Sequence, residues 1–214
     1  MKDLSEHLYS ERHYWDARFK TEEIYEWLTD LNSFEHLLLP EIELNDKILH
    51  IGCGTSRLSH QLFGNGFHDI INVDFSNTLI AKASKEHPEM KWVCDDMRSL
   101  DNIPSQSIDV VIEKASIEAM LSNEKSQWTL SEKGENDLCS TYQAIHRVLK
   151  PNGRFISISF TQPYFKVPYL VKEPYRWDCK VETFGESFHY FCYKMRKGRT
   201  PNLIDLDNYL RVTR

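Results

Sequence analysis

No stretch of this 214-residue chain approaches the roughly 20 consecutive apolar residues that a membrane-spanning helix requires. The first seven residues, Met1-Lys2-Asp3-Leu4-Ser5-Glu6-His7, include acids and no apolar run. They read as neither a secretory nor a mitochondrial leader, so the cytoplasm is the expected location. There is no basic excess: the formal charge is −6. Generic nucleic-acid binding draws on a basic face, so nucleic acid is not an expected partner, while a basic protein partner is compatible. The five cysteines are scattered and odd in number, with neither zinc-site spacing nor a disulfide framework, and are expected to remain free thiols. The nine histidines show no metal spacing, so no metal is expected, and His50 reads as a packed strand residue. Internal repeats and low-complexity tracts are lacking too. Hydrophobic residues at 41% and charged residues at 27% then place the chain with ordinary globular proteins, and its length favours one domain with a real core.

What is present is a glycine turn at the end of a short apolar run, Lys47-Ile48-Leu49-His50-Ile51-Gly52-Cys53-Gly54-Thr55-Ser56. A helix-compatible segment, 57–63, follows at once, and Asp74 closes a second apolar run, Ile70-Ile71-Asn72-Val73. Strand, glycine turn, helix start and an acid at the next strand end make a nucleoside-binding half-site. Gly52 and Gly54 let the backbone approach a ligand, and Asp74 can accept hydrogen bonds from ribose hydroxyls.

Around this unit the chain alternates strands and helices. Expected strands cover 48–51, 70–73, 90–93, 108–112 and 154–160, with helices at about 57–63, 78–86 and 138–149. Two further strands, 177–184 and 188–194, flank Gly185-Glu186-Ser187 as a hairpin. The expected fold is α/β: a doubly wound, mostly parallel seven-stranded sheet with an antiparallel C-terminal hairpin. Residues 1–46, rich in aromatics, are expected to form a helical lid. Residues 47–195 form the core, and 196–214 a polar, loosely held tail. Trp15, Phe19 and Trp27 are the lid rings, either plain core or a cover over the glycine turn.

The cofactor choice rests on the turn. A dinucleotide fingerprint places a third glycine where this chain has Arg57, so a nicotinamide dehydrogenase is disfavoured but stays open. S-adenosylmethionine has no pyrophosphate and needs only the glycine approach and the ribose acid. Asp96 can then accept from the adenine amino group, with Phe75 and Met97 sandwiching the base.

Several stretches together carry a resemblance: Ile51-Gly52-Cys53-Gly54-Thr55-Ser56, Val73-Asp74-Phe75-Ser76, Asp96-Met97, Asp109-Val110-Val111-Ile112-Glu113-Lys114 and Leu149-Lys150-Pro151-Asn152-Gly153-Arg154-Phe155. With Tyr14-Trp15-Asp16-Ala17-Arg18-Phe19, Glu26-Trp27 and Gly185-Glu186-Ser187-Phe188-His189-Tyr190, they resemble the class I, Rossmann-like methyltransferases, and more narrowly the elongation factor 1A lysine methyltransferases. The likeness covers residues 10–198. It implies S-adenosyl-L-methionine as cofactor, elongation factor 1A as protein substrate, and contacts to the cofactor from Trp15, Phe19, Trp27, Gly52, Asp74, Phe75, Asp96, Met97 and Lys114. Two departures stand out. Thr55 replaces the family's usual Asn, and Ala115-Ser116 with Glu118 replace Gly-Thr with a following Asp.

The implied reaction is methyl transfer to a lysine amine, protein-lysine N-methylation. The acceptor must first lose a proton, which an apolar aromatic channel favours. Glu113, ending the fourth strand, is the candidate carboxylate for steering the acceptor. The protein is expected to act as a monomer, away from nucleic acid and membrane. A small-molecule methyltransferase and a non-catalytic cofactor-binding member remain alternatives.

Overall fold

Short apolar runs bounded by turn residues, too short to hold a helix alone, become the strands of one sheet. The computed structural model describes residues 8–175, 177–186 and 188–210. The leader reading of residues 1–7, the start of the expected lid, Ser187 of the hairpin turn and the last four residues of the tail lie outside the described residues. Strands β1 (Ile48–Ile51), β2 (Ile70–Asp74), β3 (Lys91–Cys94), β4 (Ile108–Lys114) and β5 (Leu149–Ser159) are parallel. β6 (Lys180–Phe184) and β7 (Tyr190–Arg196) form the antiparallel pair, and the sheet order is β3-β2-β1-β4-β5-β7-β6. The expected seven-stranded architecture is the observed one.

Helices α3 (Leu58–Gly64), α4 (Asn77–Glu86), α5 (Ser116–Met120), α6 (Glu132–Val148) and α7 (Pro163–Leu170) connect the strands from β1 to β6, except between β3 and β4, where the chain crosses in turns. Alternation along each strand supplies two apolar faces. Leu49, Ile51, Val111 and Phe155 pack with Tyr142, Ile145 and Val148 of α6 and Val167 of α7. Ile48, Val110, Ile112 and Ile156 pack with Leu58 and Leu62 of α3.

The register positions the site. Ile51 lies opposite Val73 on β2 and Glu113 on β4, so the carboxyl ends of three neighbouring strands open together. That edge is where a doubly wound sheet takes its ligand.

The structure departs from the sequence expectations at both ends. The aromatic segment is not one lid. Helix α1 (Arg12–Arg18) carries Trp15 into a cluster with Phe19, Cys53 and Leu79. Leu31, Phe34, Leu37, Leu38 of α2 (Glu35–Leu38) and Ile42 instead join the sheet core beside α3. They are apolar enough to be drawn under the sheet rather than left over a cavity. Nor is the tail wholly loose. Residues Leu203–Leu210 form α8 against α7, burying Leu206, because a single apolar stripe suffices to dock an otherwise polar helix. Helix α6 starts six residues earlier than expected, at Glu132 rather than 138, because the Ser131 hydroxyl accepts from the Gly134 N–H at 3.1 Å and caps it.

Candidate active site

At the shared strand edge lies a cavity of about 570 Å³, within the usual range for small-molecule sites. The chain turns there in a conformation that favours glycine: φ is +58° at Gly52 and +50° at Gly54. The two glycines do different work. A Cβ on Gly52 would sit 2.3 Å from Ser116 Cβ, so this position lets α5 close on β1. A Cβ on Gly54 would meet only Phe19 Cζ, at 4.0 Å, leaving the turn open beneath the ring.

Asp74, at the tip of β2, is buried beside this turn. One carboxylate oxygen accepts from the Gly54 N–H at 3.1 Å and the other from the Ser76 N–H at 2.9 Å. Burial pushes its carboxyl up to about 6, against the pull of those two donors. Each oxygen keeps a lone pair for a ligand hydroxyl. Phe75 and Met97 line the same cavity, on either side of the sequence gap spanned by α4 and β3. Asp96 lines it too, but is shared: Arg98 donates to one oxygen at 3.0 Å and to the other at 2.7 Å. Burial alone would raise the Asp96 pKa; the Arg98 bonds outweigh it and hold the group below its ordinary value.

Trp15, Phe19 and Trp27 also line the cavity. Trp15 stacks on Phe19 with centroids 5.4 Å apart, and its indole N–H donates to the Tyr9 carbonyl at 2.7 Å. The cation against these rings is the protein's own. The Arg18 guanidinium lies 5.4 Å from the Trp15 centroid, 5.2 Å from that of Trp27 and 4.8 Å from that of Tyr25.

Two glutamates that sequence reasoning gave no role fasten this segment over the glycine turn. Glu22 accepts from the Thr55 hydroxyl at 2.7 Å, and Glu26 accepts from the Ser56 hydroxyl at 2.9 Å and from the Arg57 N–H. Lys114 completes the strap. Its ammonium donates to Glu26 at 2.7 Å, to the Trp27 carbonyl at 2.8 Å and to the Thr29 carbonyl at 3.1 Å. An ammonium has three N–H bonds, and all three are used. Lys114 therefore lines the cavity but spends its charge on the lid, not on a ligand. No local sequence pattern relates Glu26 to Lys114; only the fold does.

Glu113, the carboxylate expected to steer the acceptor, does not line the cavity. It is fully buried behind the strand end, accepting from Ser116 at 3.0 Å, the Ile117 N–H at 3.0 Å and Ser157. A residue pointing off the paired face of β4 alternates with Lys114, so the two neighbours cannot both face the opening. A carboxylate following this strand end that does line it is Glu118 on α5, with the buried Lys166 of α7 3.0 Å away. His50, as expected, is packed: its Nδ1 lies 2.9 Å from the Ser59 hydroxyl, and burial pushes its pKa down to about 3.

Residues 49–157 match the family described as a methyltransferase domain. EEF1A lysine methyltransferase 4 of Mus musculus is 37% identical over 204 residues, 92% of this chain and 80% of that protein. The eEF1A lysine and N-terminal methyltransferase of Homo sapiens is 32% identical over 158 residues, 71% of this chain and 22% of that longer protein. Among solved structures, the N-methyltransferase NodS of Bradyrhizobium japonicum in complex with S-adenosyl-L-homocysteine superposes with a TM-score of 0.60 at 11% identity, covering 88% of this chain and 98% of NodS.

Proposed function

This chain belongs to the methyltransferase family, and from that membership we propose that it is an S-adenosylmethionine-dependent protein-lysine N-methyltransferase acting on translation elongation factor 1A. The observation that carries the substrate is the 37% identity, across 92% of the chain, to a protein of that activity. The cavity carries the chemistry. Its residues fit the cofactor: Gly54 leaves room for close approach, Asp74 offers lone pairs to sugar hydroxyls, and Phe75 with Met97 offers apolar surface to a base. When bound, the cofactor supplies a methyl group already activated on a sulfonium.

The protein's own residues then align and enclose. The Glu22, Glu26 and Lys114 strap holds Trp15, Phe19 and Trp27 over the glycine turn, which excludes water from the transfer. No side-chain nucleophile is needed, because the acceptor amine is the attacking group. The apolar wall lowers the acceptor's pKa by disfavouring its ammonium form. On this proposal the enzyme acts in the cytoplasm and as a monomer. Among the described residues no helix is long and apolar enough to cross a membrane.

The test is transfer of radiolabelled methyl from S-adenosylmethionine to a eukaryotic lysate poor in existing methylation, with Asp74→Ala as control. One labelled band, identified as elongation factor 1A and lost in the variant, supports the proposal. Label confined to small molecules contradicts it.

A further inference from the structure

We propose that Glu118, held by Lys166, Ser159 and Thr161, is the carboxylate that receives the acceptor lysine's amino group, an inference that rests on the lysine-methyltransferase reading above. Four observations meet at this residue. Glu118 lines the cavity, while its side chain is only 8% exposed. Its Oε1 is saturated, accepting from Ser159, from Thr161 at 3.0 Å and from Lys166 at 3.0 Å. Its Oε2 is buried and has no hydrogen-bond partner. A buried carboxylate oxygen left without a donor is costly, and it persists where a ligand completes it.

The charges point the same way. Lys166 lies 3.0 Å from Glu118 and 3.8 Å from Glu113, and is the cation shared by both carboxylates. Two buried acids share one ammonium, so with both ionised the cluster carries a formal charge of −1, which a substrate ammonium entering the cavity would balance. Three donors already fix the rotamer of Glu118, so little further ordering is required when the acceptor arrives. Burial would raise the Glu118 pKa, but the Lys166 charge with the Ser159, Lys166 and Thr161 bonds holds it below the usual value. Glu113, fully buried beside it, is raised instead: burial outweighs the pull of Lys166, which lies farther from it at 3.8 Å, and the Glu118 charge adds to the rise. The member of the pair whose surroundings favour the charged form is thus the one that lines the cavity.

The position suits the role. Glu118 is two residues beyond Ser116, whose Cβ packs into the space left by Gly52. The acceptor carboxylate is therefore tied to the same turn that approaches the cofactor. Lys166 is a positioning residue here.

The experiment compares the full-length chain with Glu118→Gln and Glu118→Asp, using unmethylated recombinant elongation factor 1A, and measures kcat and KM alongside calorimetric affinity for S-adenosylhomocysteine. Glu118→Gln is expected to lower kcat/KM by roughly tenfold or more, as when one partner of a charge-assisted hydrogen bond is made neutral. Cofactor-product affinity should stay within about twofold, because that site does not use Glu118. Glu118→Asp, which keeps the charge, should recover part of the loss. Undiminished kcat/KM in Glu118→Gln overturns the inference. So does a matching loss of S-adenosylhomocysteine affinity, which would make Glu118 a structural support. A wild type that methylates no lysine is a different failure: it removes the lysine reading, and this inference with it.

Discussion

The Lys114 ammonium, 2% exposed at the carboxyl end of β4, donates at 2.7 Å to Glu26 on the N-terminal segment, 88 residues away in sequence. This pair ties the lid to β4, while Glu26 also reaches the glycine turn by accepting from Ser56 and from the Arg57 N–H. Burial lowers the Lys114 pKa, with Glu26 opposing the shift. Lys114→Met leaves Glu26 and two lid carbonyls without their donor. We expect a stability loss of about 1–3 kcal/mol and faster hydrogen exchange in residues 8–30. S-adenosylhomocysteine affinity should weaken with it. Unchanged exchange in that segment would show that the rings, not the ion pair, hold the lid.

Asp74 makes cofactor binding depend on pH. Its folded-state pKa is about 6, above the ordinary 3.8, so ionisation is disfavoured in the free protein. The unfolded chain ionises first, and the free protein therefore loses stability as pH rises from about 3.8 to about 6. Ligand hydroxyls donating to the carboxylate favour its charged form and act in the opposite direction. Calorimetry should show S-adenosylhomocysteine affinity rising roughly tenfold between about pH 5 and pH 7.5. Asp74→Asn should bind weakly and with a flat profile. A steep profile retained in the variant would assign the proton to another group.

Ala115 is strained, with φ of +65° in the left-handed region, at the head of α5. A glycine adopts this conformation without the Cβ clash. Ala115→Gly should stabilise the protein by about 1 kcal/mol, raising Tm by about 2–4 °C. An unchanged or lower Tm would mean that the methyl's packing outweighs the strain.

Gly52 and Ser116 form a second matched pair. Gly52→Ala drives a methyl to 2.3 Å from Ser116 Cβ, which predicts a loss of about 3 kcal/mol or more. Removing the opposing Cβ with Ser116→Gly should recover much of it, leaving the backbone strain of about 1–2 kcal/mol. Thermal denaturation of both single variants and the double variant measures the coupling; strict additivity would refute the contact.

The fold was legible in the sequence because its signals are local. Short apolar runs, punctuating glycines and prolines, and the alternating faces of 188–194 each mark an element within a few residues. The floor of the site was legible for the same reason: Gly52, Gly54 and Asp74 follow one strand–turn–helix–strand unit. Trp15, Phe19, Trp27, Phe75, Asp96, Met97 and Lys114 also line the same cavity. What could not be read depends on pairs far apart in the chain. Glu26 with Lys114 and Glu118 with Lys166 are separated by 88 and 48 residues, and their charges look like surface charges until the fold buries them. Glu113 lies away from the opening because a one-residue step along a strand reverses the face. The tail helix leaves no local signal, because its apolar stripe is short and its docking partner, α7, lies elsewhere in the chain.

The most direct test of the central claim is the mass of unmethylated recombinant elongation factor 1A after incubation with this protein and S-adenosylmethionine, followed by peptide mapping. The account predicts added methyl mass on a lysine side chain, absent with Asp74→Ala. Intact cofactor binding with no methyl on any lysine of elongation factor 1A would contradict it.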